Sequence, residues 1–358
     1  MSKAAELAAL IGSQSAQGNR NLIINGAMQV DQRNNGSSIT VPNAVNTYVP
    51  DRFRINESSG AEFTAQRVDD APVGFEYSSK ITVSTADTSL GAAEFNRMVH
   101  AIEGQNISHL NWGTSNAKTL TLTFYVKSSV TGQYYISVFN SAANRTLLKG
   151  YTINSANTWE KKTITIIGDQ TGTWLTTNGA GIYVMWSLGS GSNYQSNTLD
   201  AYQASFAMAK SDQVNFAASV SSTWQLTGVQ LEIGEQATPF EHRSFADEMI
   251  RCQRYYQEVA SGSCYFAGNG LGTTNIIVGI PLATSMRATP SVKQNGYTFH
   301  RSGNVNSSGA NPSVSNFAYD IGRNAVGVRI SGWASNNTDE VAYTVTPATE
   351  VLAFEAEL

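Results

Sequence analysis

Cysteine is all but missing from this chain. Two of its 358 residues, Cys252 and Cys264, carry a thiol, too few for a disulfide scaffold or a zinc site, so both read as reduced structural residues. Charge is scarce too. Charged side chains make up 14% of the residues, against about 25% in an average globular domain. The formal net charge of −4 is spread over both halves without a basic block, so nucleic acid is not expected as a partner. No apolar run approaches the roughly 20 residues that cross a bilayer, so no membrane insertion is expected. Glu6 interrupts the opening segment where a secretion signal needs an unbroken apolar stretch. The four histidines, His100, His109, His242 and His300, have no companion at metal-ligand spacing, and neither a metal nor another cofactor is expected.

Ser, Thr, Asn, Gln and Gly fill the place of the missing charge, a balance that suits short strands joined by turns. Thr119–Val126 alternates with period two and places Leu120, Leu122, Phe124 and Val126 on a core face. Further strand candidates are 22–29, 63–68, 80–83, 134–139, 161–167, 182–188 and 202–208, which together indicate a mainly antiparallel sandwich. In Trp224–Glu232 the apolar parity slips at Thr227-Gly228, which predicts a β-bulge with Gly228 supplying the permissive backbone. Residues 2–12 read as a short helix that has to dock on something. Residues 13–20 read as a linker. Ser244 caps a clearer helix over 245–257, on which Phe245, Met249, Cys252 and Tyr256 follow at coiled-coil spacing. That stripe either packs on the chain's own sandwich or forms the seam of an oligomer. After Gly262 a second β-rich unit follows, with its last strand, 350–358, tied into a sheet.

A catalytic reading finds little to stand on. Gly189-Ser-Gly-Ser-Asn193 lacks the Lys-Ser/Thr ending and helix of a phosphate loop and reads as a hairpin loop. Asp69 and Asp70 are adjacent, so on an extended strand they face opposite ways. The aromatics carry more, because sugars stack on Trp and Tyr beside amide and carboxylate groups. The plain reading of any one of them is burial in a core. Trp112, Trp174, Tyr194, Tyr297 and Trp333, flanked by Gly, Asn and Ser turns, are the better candidates for exposure.

The run Asn21-Leu-Ile-Ile-Asn-Gly-Ala-Met-Gln-Val-Asp-Gln-Arg33, followed by Tyr48-Val-Pro-Asp-Arg-Phe53, resembles the opening of a group of bacteriophage tail-fibre and virion-fibre proteins. Gly228-Val-Gln-Leu-Glu232, Thr238-Pro-Phe-Glu-His-Arg243, Arg251-Cys-Gln-Arg-Tyr-Tyr256 and Met286-Arg-Ala-Thr-Pro290 resemble its continuation. The resemblance implies an all-β fold: a jelly-roll sandwich like that of carbohydrate-binding modules, then a short helix and a smaller β-domain. It also implies a homotrimer on the exterior of a virion, made in the host cytoplasm and adhering to a host-surface glycan, with no catalytic residue. The expected organisation is an N-terminal helix and linker over 1–20, the sandwich over 21–243, a connecting helix over 244–262 and a distal β-domain over 263–358. Leu7, Leu10 and Ile11 are the expected contacts to other virion proteins. Phe245, Met249, Cys252 and Tyr256 are the expected trimer seam, and Tyr297, Phe299, His300 and Trp333 the expected glycan contacts. Asp51 and Arg52 are expected to fix the first loop rather than act on a ligand. A capsid fibre or head decoration protein is the alternative. A capsule or lipopolysaccharide depolymerase is disfavoured by the lack of a solenoid repeat and of an evident carboxylate cluster.

Overall fold

The computed structural model describes residues 19–261, 268–271, 275–295, 318–321, 325–331 and 351–358. Two compact units are present, divided between Glu248 and Met249, with Leu358 grouping with the first. The expected helix over 2–12, with Leu7, Leu10 and Ile11, lies outside the described residues.

The first unit is built from β1 (Ile39–Val41), β2 (Thr47–Tyr48), β3 (Phe53–Ser58), β4 (Glu62–Val68), β5 (Ser78–Thr85), β6 (Phe95–Glu103), β7 (Leu120–Ser128), β8 (Gly132–Phe139), β9 (Thr146–Ile153), β10 (Glu160–Ile166), β11 (Ala180–Ser190), β12 (Tyr202–Gln203) and β13 (Thr223–Ile233). They form a six-stranded sheet in the order β1-β4-β5-β13-β7-β10 and a seven-stranded sheet in the order β12-β9-β8-β11-β6-β3-β2. All pairings between these strands are antiparallel. Successive strands cross repeatedly from one sheet to the other, the connectivity of a jelly roll. Between the sheets lies one apolar core, with Phe53, Phe124, Trp186 and Trp224 at 0% exposure. Leu120, Leu122, Phe124 and Val126 all reach it, as the alternation of β7 predicts. Each such side chain contributes about 1.5–3 kcal/mol by leaving water.

The outer face of the seven-stranded sheet is covered by the chain itself. Segment 191–215 runs across it: Ser137 Oγ donates to the Ala207 carbonyl at 2.8 Å and the Tyr135 hydroxyl to Asp212 at 2.6 Å. Met208 packs there in a second apolar cluster with Val99, Phe139 and Met185. The expected strand over 202–208 is therefore a two-residue strand followed by this cover, and Gly189–Asn193 opens the cover rather than a hairpin.

Residues 22–29 depart from the expected strand. Asn25 and Met28 take positive φ, 62° and 56°, which breaks a ladder. The segment nevertheless shares the core of β13, for Ile23 and Met28 sit in one cluster with Trp224, Leu226, Val229 and Leu231. Its main chain is stitched to β13 by Leu22 N–H to the Leu231 carbonyl and Val229 N–H to the Gly26 carbonyl, both 2.9 Å. Gly26 is obligatory for this approach, because a Cβ there would lie 2.1 Å from the Val229 oxygen. The later motif closes over the earlier one. Glu241 accepts from Asn21 N–H at 2.8 Å, Arg243 donates to the Ile23 carbonyl at 3.0 Å and to the Asn21 carbonyl, and Glu248 accepts from Asn25 N–H at 2.5 Å. Asp51 and Arg52 take the structural role. Asp51 accepts from Gln32 at 2.6 Å and Arg33 at 3.2 Å, while Arg52 donates to the Ala101 carbonyl at 2.7 Å.

His100 sits inside this assembly at 0% exposure, edge-on to Phe53 at 4.8 Å, with Nε2 3.1 Å from the Ile24 carbonyl oxygen. Burial, and then the Arg52 charge, hold its pKa well below the ordinary 6.5. The unfolded chain takes up this proton near 6.5 and the folded chain does not. The stability contributed by neutral His100 is thus complete above that pH and declines below it, by up to about 1.4 kcal/mol per pH unit. The expected result is that the stability difference between the parent and His100→Gln shrinks steadily as urea unfolding is repeated from pH 7 down to pH 5. A pH-independent difference would show that His100 titrates normally.

The helix α1 (Phe245–Gln253) starts as expected: Asp247 N–H donates to Ser244 Oγ at 3.1 Å, and that hydroxyl donates to the Asp247 carboxylate at 2.7 Å. It ends four residues early. Tyr256 opens β14 (Tyr256–Ser261), so the four-residue stripe does not lie on one helix, and the expected connecting helix is helix to Gln253 and strand from Tyr256 to Ser261. The second unit continues with β15 (Gly268–Leu271), β16 (Asn275–Pro281), β17 (Ser291–Asn295), β18 (Ala318–Ile321), β19 (Ala325–Ser331) and β20 (Val351–Glu355). These make a three-stranded sheet, β14-β20-β17, and a four-stranded sheet, β15-β16-β19-β18. The last strand is tied in at the centre of the first of these, with Phe354 at 0% exposure.

Candidate functional site

The outer face of the six-stranded sheet carries the best-formed polar and aromatic surface among the described residues. Register fixes its rows. Gln66 pairs with Lys80, Lys80 with Gln225, and Gln225 with Lys127. Trp159 leads into β10 directly beside this row, two residues before Lys161, which pairs with Tyr125. The core faces of these strands are apolar, so alternation sends the row outward.

Asp70, from the loop after β4, organises the end of the row. Its Oδ2 accepts from Lys127 Nζ at 2.6 Å and from Gln225 Nε2 at 3.0 Å, and its Oδ1 accepts from Trp159 Nε1 at 3.3 Å. Partial burial pushes the carboxyl up, but the hydrogen bonds from Lys127, Gln225 and Trp159 outweigh it and hold Asp70 below its ordinary range. The indole is half-buried, with its polar edge pinned and the Lys127 ammonium 5.7 Å from the ring centroid. Asp70 itself keeps 46% of its side chain in solvent, so its lone pairs can take further donors. An ordered aromatic face beside an ionised carboxylate, an amide and an amine is the equipment for holding a sugar ring and its hydroxyls.

The next row is aromatic and depends on the bulge read in the sequence. Register between β13 and β7 slips between Thr227 and Gln230, where Gly228 takes φ +60°. A Cβ there would lie 2.7 Å from Phe75 Cζ and 2.8 Å from Tyr125 Cδ2. The glycine lets both rings settle onto the sheet. Phe75 meets Tyr125 at 5.4 Å, Phe240 at 4.9 Å and His242 at 5.5 Å. His242 is exposed and forms part of this aromatic edge.

Tyr297, Phe299, His300 and Trp333 lie outside the described residues. Of the expected seam, Phe245 is 56% exposed and Met249 half-buried. Cys252 and Tyr256 are buried within the chain, at 1% and 6%, so they offer no seam surface, and Ile250 rather than either of them is the second exposed apolar residue of α1. Trp112 and Trp174, expected in exposed turns, are 7% and 6% exposed. Each indole N–H is satisfied internally, on the Lys118 carbonyl and on Asp169. Trp159 was legible by the same criterion, since Asn154-Ser-Ala-Asn-Thr158 precedes it. Asp70 and Gln225 gave no local signal. No group of three or more His, Cys, Asp or Glu that could hold a metal occurs among the described residues.

No family profile and no curated protein matches this chain. Solved structures do. The enzymatically active domain of tailspike protein 4 of bacteriophage CBA120 aligns with 60% of this chain at 14% identity and a TM-score of 0.32; the chain spans about a fifth, 21%, of that structure. A CBM4 module aligns with 59% of this chain and 99% of its own at 16% identity and a TM-score of 0.30. The family 11 carbohydrate-binding module of Clostridium thermocellum, solved with a β-1,3-1,4-mixed-linked tetrasaccharide, aligns with 57% of this chain and 98% of its own at 10% identity and a TM-score of 0.28. These TM-scores all lie below 0.5, so the site is judged on its own residues.

Proposed function

We propose that this protein binds a host-surface glycan as a bacteriophage virion fibre, and that it binds without cleaving. The observation that carries the glycan reading is the Trp159–Asp70–Lys127–Gln225 constellation on the outer face of the six-stranded sheet. The virion-fibre part of the proposal draws on the paired end motifs, Asn21–Arg33 and Thr238–Arg243. Assembly as a homotrimer, attachment to other virion proteins through Leu7, Leu10 and Ile11, and a place on the tail belong to the same proposal; a capsid fibre or head decoration protein is the second placement.

Binding without hydrolysis fits the electrostatics of the site. A glycosidase needs one carboxyl group whose pKa is raised so that it can protonate the leaving oxygen. Asp70 is held the other way, ionised and hydrogen-bonded.

The test is titration of neutral bacterial surface polysaccharides against the parent, Trp159→Ala and Trp159→Phe. Truncating a central aromatic anchor typically costs about 2 kcal/mol, or about 30-fold in affinity. Trp159→Ala should lose binding by that factor with an unchanged thermal midpoint, and Trp159→Phe should retain most of it. Equal affinities for parent and Trp159→Ala would remove the site from this face. Release of reducing ends would overturn the non-catalytic reading.

A further inference from the structure

On the opposite, seven-stranded sheet, the cover formed by segment 191–215 leaves two arginines in an unusual setting. Arg54 on β3 and Arg97 on β6 are diagonal neighbours on the outer face, where register pairs Arg54 with Val99 and Asn56 with Arg97. Both are half-buried. Arg97 lies 4.4 Å over the Phe95 ring and Arg54 5.3 Å over the Tyr183 ring. Tyr194 stands edge-on to Phe95 at 5.5 Å and closes the side.

Among the described residues no side-chain carboxylate answers these two cations, and Arg97 has no carboxylate partner of any kind. Among the described residues, the one side-chain polar contact of Arg97 is from Nη1 to the Met185 sulfur at 3.9 Å, and its Nε is buried without a partner. Arg54 donates one N–H to an oxygen of the Leu358 main-chain carboxylate at 2.7 Å, which leaves Arg97 as the cation without an anionic acceptor among the described residues. Glu57, on the same strand as Arg54, falls on the opposite face by alternation. Burial, then the repulsion from Arg54, pull the Arg97 guanidinium down to about 10. A desolvated cation facing a second cation is costly to keep, and an anion seated between them offsets both the desolvation and the repulsion.

We propose that Arg54 and Arg97 form a second ligand site, independent of the Trp159 face, which takes the oxyanion of an acidic sugar, a uronate carboxylate or a sugar phosphate. The guanidinium fork matches either group with paired hydrogen bonds. The Phe95, Tyr183 and Tyr194 rings supply the apolar wall that a sugar ring needs and a bare anion does not.

The experiment is calorimetric titration of the full chain with a hexuronate oligosaccharide, a hexose phosphate, the neutral hexose oligosaccharide and inorganic phosphate, repeated on Arg97→Gln and Trp159→Ala. At least one acidic sugar should bind more tightly than the neutral one and than inorganic phosphate, and the hexuronate and phosphate arms tell the two sources apart. Arg97→Gln should lose about 10-fold or more of that affinity, the scale of one charge-assisted hydrogen bond, while Trp159→Ala should leave it unchanged. Arg97→Met provides a second reading. Removing a half-buried cation that has no anionic partner should raise the thermal midpoint even as acidic-sugar binding falls. Equal affinity for acidic and neutral sugars, unchanged binding by Arg97→Gln, inorganic phosphate binding as tightly as either sugar, or a lowered midpoint in Arg97→Met would each overturn the proposal. Loss of neutral-glycan binding in Trp159→Ala with acidic-sugar binding intact would separate this site from the first.

Discussion

Replacing Asn25 by alanine is expected to cost the first unit about 4 kcal/mol or more, a large part of the 5–15 kcal/mol that holds a typical domain together. The Asn25 side chain is 1% exposed and serves three main-chain groups: Nδ2 donates to the Val30 carbonyl at 2.7 Å and the Asp51 carbonyl at 2.9 Å, and Oδ1 accepts from Val30 N–H at 2.9 Å. Each buried group left without its partner costs about 1–3 kcal/mol. The backbone adds to this, because φ is 62° and alanine pays about 1–2 kcal/mol for a left-handed conformation that asparagine tolerates better. Asn25→Gly separates the two contributions, since glycine accepts that φ but makes none of the hydrogen bonds. In urea unfolding, Asn25→Ala should shift the midpoint most, Asn25→Gly by about 1 kcal/mol less, both with the parent's slope. Two variants within about 1 kcal/mol of the parent would mean that water replaces the side chain at no cost, and the closure of the first loop would need another explanation.

The two sheets differ in how legible their strands are in the sequence, for one physical reason. β4, β7, β10 and β13 carry apolar residues on the core face and polar ones on the other, so their apolar residues recur with period two, even where the polar side is buried, as at Gln225 and Gln230 of β13, 2% and 0% exposed. β3, β6 and β9 were missed. In β6, Met98, His100 and Ile102 face the sandwich core while Val99 and Ala101 are 1% and 5% exposed on the other side, and a strand with apolar residues on both faces loses the alternation. What buries the outer side is segment 191–215, whose own apolar residues, such as Met208, imitated a strand because they point down onto a sheet. The bulge at Gly228 was legible because a parity slip is local to one strand. The Trp159 constellation was only half legible: the turn before Trp159 is visible in the chain, but Asp70 lies 89 residues from it and 155 from Gln225. Proximity of that kind follows from strand order, which no local pattern states. The helix α1 was overextended because Tyr255 and Tyr256 continue an apolar stripe into β14 without a proline or glycine to stop it.

Asp169 carries the other large effect, and it explains why Trp112 and Trp174 are structural. The two indoles meet edge to face at 4.7 Å, and Trp174 Nε1 donates to Asp169 Oδ2 at 3.1 Å. Asp169, 2% exposed, also takes Arg145 in a fork, Nε at 2.7 Å and Nη2 at 2.6 Å, and Thr171 N–H at 3.2 Å. Asp169→Ala leaves a guanidinium, an indole N–H and a main-chain N–H without their acceptor. Breaking such a pair costs about 3–5 kcal/mol when fully buried; Arg145 keeps 20% of its side chain in solvent, which points to the lower end. Burial pushes the Asp169 carboxyl up, but Arg145, Thr171 and Trp174 outweigh it and hold it below its ordinary 3.8. The folded form therefore keeps this carboxylate ionised at pH values where the unfolded chain is protonated. Its contribution is complete above the unfolded value and is lost as pH falls through the lower folded one. The expected result is a deficit in Asp169→Ala of about 3 kcal/mol at pH 7 that narrows only below about pH 4, together with a reduced near-ultraviolet tryptophan signal as the indole pair loosens. Binding of neutral glycan by whatever fraction stays folded should match the parent, because Trp159 takes no part in this cluster. A deficit that is small at pH 7, or that stays constant into acid, would show the Arg145–Asp169 fork to be dispensable.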